Sequence, residues 1–299
     1  MKRNHLALKM IGALTMTLIL ASSAVAGTQV DPALPGYSAD GEVAGSLKSI
    51  GSDTMNNEMA LWAEGFRGFH PGVKVEVDGK GSSTAPPALI AGTSNFGPMS
   101  RQMKSKEIDE FEKRFGYQPV QLRTSIDMLA VYVHKDNPIK GLTLQQVDAI
   151  FSKTRKGGAT KDIVTWGDLG LEGEWKDKPI SMYGRNSASG TYGYFKKHAL
   201  FKGDYKDQVK EQPGSSSVVQ GIASDKYGIG YSGIGYKTSD VRAIALAKTA
   251  GGTHIEPSNE GILSGKYPLA RFLYVYVNKR PNRPLDPLIR EFLRLVMSK

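Results

Sequence analysis

The chain of 299 residues contains no cysteine. That absence removes disulfides, thiolate-bound metals and cysteine nucleophiles together, so a buried core must supply the stability. Histidine is scarce as well: 5 residues, the first of them His5, and no pair at a metal-ligand spacing. Metal-dependent and histidine-dependent catalysis therefore have little support. No Gly-x-Ser-x-Gly elbow occurs, which makes Ser189 a better donor than nucleophile. No P-loop and no dinucleotide fingerprint occurs either, and nucleotide hydrolysis is set aside. Beyond the N-terminus there is no long hydrophobic run, no internal repeat and no low-complexity tract.

The N-terminus itself is distinctive. Lys2 and Arg3 precede an apolar stretch at residues 10–20, and Ala24-Val25-Ala26 follows before Gly27. A basic start, a short apolar centre and a small-x-small site predict a cleaved secretory signal peptide over 1–26. The apolar run is too short to span a bilayer comfortably. With no cysteine available for lipid attachment, a periplasmic location is expected instead of a membrane anchor. Residues 27–44 carry Pro32, Pro35, Gly36 and Gly41 and few periodic apolar positions, so they predict a loose leader. About 270 residues remain, enough for one large domain or two lobes.

The formal charge is +10, and the departure of Lys2, Arg3 and Lys9 brings it to +7. Such a surface can attract nucleic acid, membrane or small anions. Lys and Arg are spread evenly, without a basic arm or a known nucleic-acid module, so no nucleic-acid partner is expected.

Three loops share one chemistry. Residues 184–195 read Gly-Arg-Asn-Ser-Ala-Ser-Gly-Thr-Tyr-Gly-Tyr-Phe between a buried strand at 179–183 and a helix at 192–201. A strand-to-helix loop presents free backbone N–H groups and the positive end of a helix dipole. Ser187, Ser189 and Thr191 add hydroxyls, Gly190 lets the backbone come close, and Arg185 offers a planar fork for two oxygens of one oxyanion. The bland alternative is that these hydroxyls are ordinary N-caps. Gly51-Ser52-Asp53-Thr54 likewise follows a strand at 47–50 and opens a helix whose buried stripe is Met55, Met59, Trp62, Phe66 and Phe69. Gly81-Ser82-Ser83-Thr84 follows the alternating strand Val73, Val75, Val77 and opens a short helix at Pro86-Pro87. Residues 96–101, Phe-Gly-Pro-Met-Ser-Arg, read as a tight turn, and Arg101 could supply a second guanidinium.

Farther along, 128–133 reads as a buried strand, 143–151 as a Thr-capped helix, and 153–178 as a surface excursion. Ser215-Ser216-Ser217 is expected to cap a helix. Strands are expected at 227–236, 241–246 and 271–277, and a closing helix turns Leu285, Leu288, Ile289, Phe292 and Val296 inward. Alternating strands and helices predict an α/β protein with mostly parallel sheets.

With these loops together, the chain resembles the phosphate-binding subunit of ABC-type phosphate importers, a family with the type II periplasmic binding-protein fold. The likeness runs from Leu47 onward and is most specific at Arg185-x-x-x-Ser189-Gly190-Thr191, supported by Gly51-Ser52-Asp53-Thr54 and Gly81-Ser82-Ser83. It implies two lobes, 45–132 plus 275–299 and 133–274, hinged on strands at 129–134 and 272–278. It implies inorganic phosphate held by Thr54, the backbone of Met55, Ser82, Arg185, Ser189, Gly190 and Thr191, with Ser52, Asp53, Ser83, Ser100 and Arg101 completing the candidate set. It further implies a monomer without a cofactor that delivers phosphate to an inner-membrane ABC permease. Family members continue past the last helix found here, so a shortened or truncated end is expected.

One position departs from the family. Well-studied members carry Asp after the Ser of the turn that here reads Ser100-Arg101, and hydrogen phosphate needs an acceptor for its proton whereas sulfate does not. Asp53 is expected to take that role. The competing expectations are a binder of another oxyanion (sulfate, molybdate or a phosphonate) and an exported phosphatase using Ser189 or Thr54.

Overall fold

The computed structural model describes residues 33–299; the expected signal peptide and the first leader residues lie outside the described residues. β1 (Gly45–Ile50) runs through a single 3-10 turn (Asp53–Met55) into α1 (Asn56–Phe69), followed by β2 (Val73–Asp78), α2 (Ala85–Ala91), β3 (Phe96–Met99) and α3 (Ser105–Phe115). β4 (Val120–His134) then leads to β5 (Gly141–Thr143), α4 (Leu144–Phe151), β6 (Ser181–Arg185), α5 (Gly190–His198), β7 (Lys210–Gln212) and α6 (Ser215–Ala223). β8 (Gly228–Gly233), β9 (Val241–Ala243), β10 (Ala245–Ala247), α7 (Asn259–Leu263), β11 (Ala270–Val277) and α8 (Pro287–Val296) complete the chain.

The strands run β2-β1-β3-β11-β4-β8-β6-β7, with β9 also on β4. β4 is long because it serves two sheets: from Val120 to Met128 it pairs antiparallel with β11, and from Leu129 to Val133 it pairs antiparallel with β8. The change of partner falls where the Leu129 N–H meets the carbonyl of Leu269, at 3.1 Å. The two-lobed α/β architecture is thus organised on β4 and β11. Parallel pairing holds for β1 with β2 and β3, β6 with β7 and β8, and β5 with β10. The central strands are antiparallel, because the chain returns through β11 to finish the first sheet.

Each lobe has its own core. Leu47, Met59, Phe66, Phe96 and Val275 pack under α8, whose Phe292 meets Phe66 edge-on at 5.3 Å and Phe96 at 4.8 Å. In the second lobe Leu129, Val131, Phe151, Phe195 and Tyr231 pack together, with Phe195 stacked on Tyr231 at 3.8 Å.

Several local expectations are corrected. Phe96-Gly97-Pro98-Met99 is a fully buried strand and no turn. Proline is tolerated in this central position because its carbonyl accepts the Ser52 N–H at 2.8 Å while it has no donor of its own to leave unpaired. Phe69 is 54% exposed, at the end of α1, where it packs on Tyr37. The 153–178 excursion buries Trp166 and Trp175 in the second core. Ser215 is the first residue of α6, whose cap is Gly214 without a side-chain bond. Residues 241–246 divide between β9 and β10, which pair with β4 and β5.

Candidate functional site

The three loops identified in the sequence meet between the lobes. Thr54, in the turn that opens α1, is buried, and its Oγ1 lies 2.8 Å from Thr191 Oγ1 of α5, across 137 positions of sequence. Ser82 is fully buried: its Oγ is 3.1 Å from Ser100 Oγ and accepts the Ser100 N–H at 3.0 Å. Gly81 has φ +116°, a conformation that favours glycine, and a β-carbon there would come within 2.6 Å of the Ala188 carbonyl. Beside it the Ser83 N–H donates to that same carbonyl at 3.1 Å, stitching the second loop to the third.

Ser189 caps α5, its Oγ accepting from the N–H groups of Thr191 at 3.1 Å and Tyr192 at 3.4 Å. Capping and ligand binding are compatible here, since the hydroxyl proton is still free to be donated. Gly190 follows as the first residue of α5 and touches the Ser82 and Ser100 side chains. Its N–H belongs to the first turn and has no acceptor within the helix.

Arg185 ends β6 and is 1% exposed. Nη1 donates to Ser215 Oγ at 2.8 Å and lies 3.0 Å from Asp53 Oδ1, while Nη2 donates to the Pro213 carbonyl at 3.2 Å. Nε is buried without a partner. Burial pulls this guanidinium below its ordinary pKa, with the Asp53 carboxylate opposing. A buried orphan donor on a cation is a costly arrangement that an anion would relieve. Asp53 Oδ1 also receives the Ser215 N–H and hydroxyl, each at 2.7 Å, which makes it the anchor that aims Arg185.

The remaining candidates lie at the margin of this cluster. Arg101 is tied by both terminal nitrogens to Glu107, each at 2.7 Å, and reaches Ser83 Oγ at 3.3 Å. Ser52 is buried, its N–H committed to Pro98, and the Met55 N–H closes the 3-10 turn on the Ser52 carbonyl.

Sequence reasoning missed four residues. Arg271, 6% exposed, holds Asp127 Oδ2 through Nε at 3.0 Å and Nη2 at 2.7 Å, donates from Nη1 to the Ser100 carbonyl, and from Nη2 to Thr191 Oγ1 at 2.9 Å. Ser215 bridges Arg185 and Asp53, and the Tyr236 hydroxyl donates to the Asp53 carbonyl at 2.7 Å. Polar residues within otherwise apolar strands were the only signal for the first pair.

The result is a dense set of hydroxyl, amide and guanidinium donors with two carboxylates, each matched to an arginine. Such a set suits a small tetrahedral oxyanion. Among the described residues no group of three or more His, Cys, Asp or Glu side chains could hold a metal, and no helix is long and apolar enough to cross a membrane.

Known proteins share both sequence and fold. The PBP superfamily domain matches residues 37–299. The phosphate-binding protein PstS of Pseudomonas aeruginosa is 55% identical over 291 residues, 97% of this chain and 90% of its own. A crystal structure of a putative phosphate ABC transporter substrate-binding protein with bound phosphate from Clostridium perfringens aligns with a TM-score of 0.71 at 25% identity, covering 85% of this chain and 94% of the other. An ABC-type phosphate transport receptor from Vibrio cholerae shares the fold at a TM-score of 0.63 and 22% identity, covering 85% and 94%. With a two-lobed sheet system built on β4 and β11, and with that extent of shared sequence, this chain belongs to the PstS family of the PBP superfamily.

Proposed function

We propose that the protein captures inorganic phosphate between its two lobes and hands it to an ABC permease, acting in the periplasm as a binding protein without catalysis. The observation that carries this reading is the meeting of the Thr54 and Thr191 hydroxyls and of the Ser82 and Ser100 hydroxyls, together with a buried Arg185 that is paired with Asp53, the neighbour of Thr54, and whose Nε has no partner. Charge-assisted hydrogen bonds in such a water-poor site contribute roughly 1.5–3 kcal/mol each. The phosphate-binding relatives support the same choice of ligand.

In this reading the lobes are divided at 128/129 and 269/270, which follows the partner change in β4 and the start of β11 more closely than divisions at 132/133 and 274/275. The phosphate contacts are Thr54, Ser82, Ser100, Arg185, Ser189, Gly190 and Thr191. Asp53 and Ser215 hold Arg185, and Arg101 with Ser83 and Glu107 forms the rim.

Calorimetric titration of phosphate into protein unfolded, dialysed and refolded to remove bound anion tests the proposal. Saturable binding of one phosphate per chain is expected; no heat and no shift in melting temperature would overturn it.

A further inference from the structure

We propose that the cavity beside Arg271, on the Tyr194 face of that residue, is a second ligand site, suited to a small organic anion with a flat apolar body and one carboxylate. It goes beyond the phosphate reading and does not depend on it. The cavity has a volume of about 420 Å³ and is walled by the segment after β3, by α5 and by β11. That size suits a small molecule. Arg271 is the wall it shares with the hydroxyl cluster. The edges of the guanidinium are held by Asp127, the Ser100 carbonyl and Thr191 Oγ1, while its carbon lies over the Tyr194 ring, 5.1 Å from the centroid.

The apolar lining is out of place for a surface. β11 is a central strand, flanked by β3 and β4, where large aromatic side chains are expected to be covered. Tyr274 and Tyr276 are covered, packed with Met103 and Phe111. Phe272 stands two residues earlier on the same face and is 40% exposed, and its cross-strand partner Ile126 is 48% exposed. Across the cavity the Tyr194 ring stacks on His198 at 4.3 Å. Gly193 leaves further room there, since a β-carbon would meet nothing within 4 Å. A flat apolar body laid against Phe272 and Tyr194 takes those rings out of water.

The charges decide the sign of the ligand. The two nearby carboxylates are already matched, Glu107 by Arg101 and Asp127 by Arg271. Lys104 and Lys197 are exposed lining residues, and neither makes a salt bridge among the described residues. His198 registers the surplus: burial first, then the charges of Lys197 and Arg271, hold its imidazole below the ordinary pKa. Two unmatched ammonium groups beside an aromatic lining fit a carboxylate carried on a ring, and a neutral molecule would leave both lysines without a partner.

Cinnamate is the probe, titrated calorimetrically into the mature chain in excess phosphate, with cinnamamide as its neutral twin. One saturable cinnamate site per chain is expected, and the amide is expected to bind about 10-fold more weakly or worse. Lys104→Ala/Lys197→Ala, at two exposed positions, is expected to weaken cinnamate by about 10-fold and to keep phosphate affinity. Gly193→Leu, which fills the cavity, is expected to abolish cinnamate binding and likewise to keep phosphate affinity. No saturable binding of cinnamate, equal binding of the amide, displacement of cinnamate by added phosphate, or full binding to Gly193→Leu overturns the proposal. Should Gly193→Leu fail to fold, Phe272→Glu, which sets a like charge at an exposed position of the lining, is judged by the same loss of cinnamate binding.

Discussion

Gly190 and Ser100 are so close that a β-carbon on the glycine would come within 2.6 Å of the serine Oγ. One residue starts α5 and the other follows β3, so the contact joins two elements that belong to different sheets. The close approach of the two loops depends on a missing side chain.

Gly190→Ala is accordingly expected to weaken phosphate binding by about 10- to 100-fold without lowering the melting temperature of the ligand-free protein, since the open form escapes the clash and alanine favours helix. Gly193→Ala, where a β-carbon meets nothing within 4 Å, should leave affinity unchanged. Titration calorimetry and thermal melts of the two variants distinguish a closure effect from a folding defect.

Arg185→Lys should be far from conservative. An ammonium cannot satisfy Ser215, Asp53 and Pro213 in the plane the guanidinium occupies, and it has no Nε. A loss of about 100-fold or more in phosphate affinity is expected, with about 1–3 kcal/mol of stability lost from the disturbed buried cluster. Chemical denaturation without phosphate and titration with it read the two effects separately.

Glu58 gives the protein a pH-dependent stability. Burial pushes its carboxyl up to about 7, the Ser125 hydroxyl at 3.1 Å opposes, and the nearby Asp127 charge adds to the rise. An acid whose folded pKa lies above its unfolded one contributes nothing adverse at low pH, then costs stability as pH climbs from about 4.5 to about 7, and the cost is constant above that. Glu58→Gln should thus stabilise the fold by about 1–2 kcal/mol at pH 8 and leave it unchanged at pH 4. Melting curves across that range check the sign.

Within the described part of the leader, residues 33–44, Tyr37 is pinned, which the loose reading of residues 27–44 did not foresee. The Tyr37 hydroxyl lies 2.7 Å from His70 Nε2 and its ring stands edge-on to Phe69 at 4.9 Å. Tyr37→Ala is expected to cost about 1–2 kcal/mol and to expose residues 33–44 to protease, with phosphate affinity unchanged. Limited proteolysis followed by mass spectrometry reads this directly.

What could be read from sequence was local chemistry. Ser189-Gly190-Thr191, Asp53-Thr54 and Gly81-Ser82 each combine a strand end, a helix start and hydroxyls within a few residues, and such coincidence is visible without coordinates. Arg271 and Asp127 offer no such signal: they are 144 positions apart, each sits in a strand of mainly apolar neighbours, and only the antiparallel register of β11 on β4 makes them partners. Pro98 misled for the opposite reason, because a Gly-Pro pair favours a turn locally and only burial between β1 and β11 makes it a strand. Arg101 looked like a ligand because nothing in its own loop reveals that Glu107 would claim both ends of its fork.

The register of β4 on β11 also has a consequence for biogenesis. Val120 pairs with Val277, so the first sheet cannot close until nearly the whole polypeptide has been made. Pairings of such long range form slowly, because loop-closure entropy must be overcome before any contact rewards it. The lobe that Phe292 of α8 helps to fill therefore assembles only after the last helix has been made.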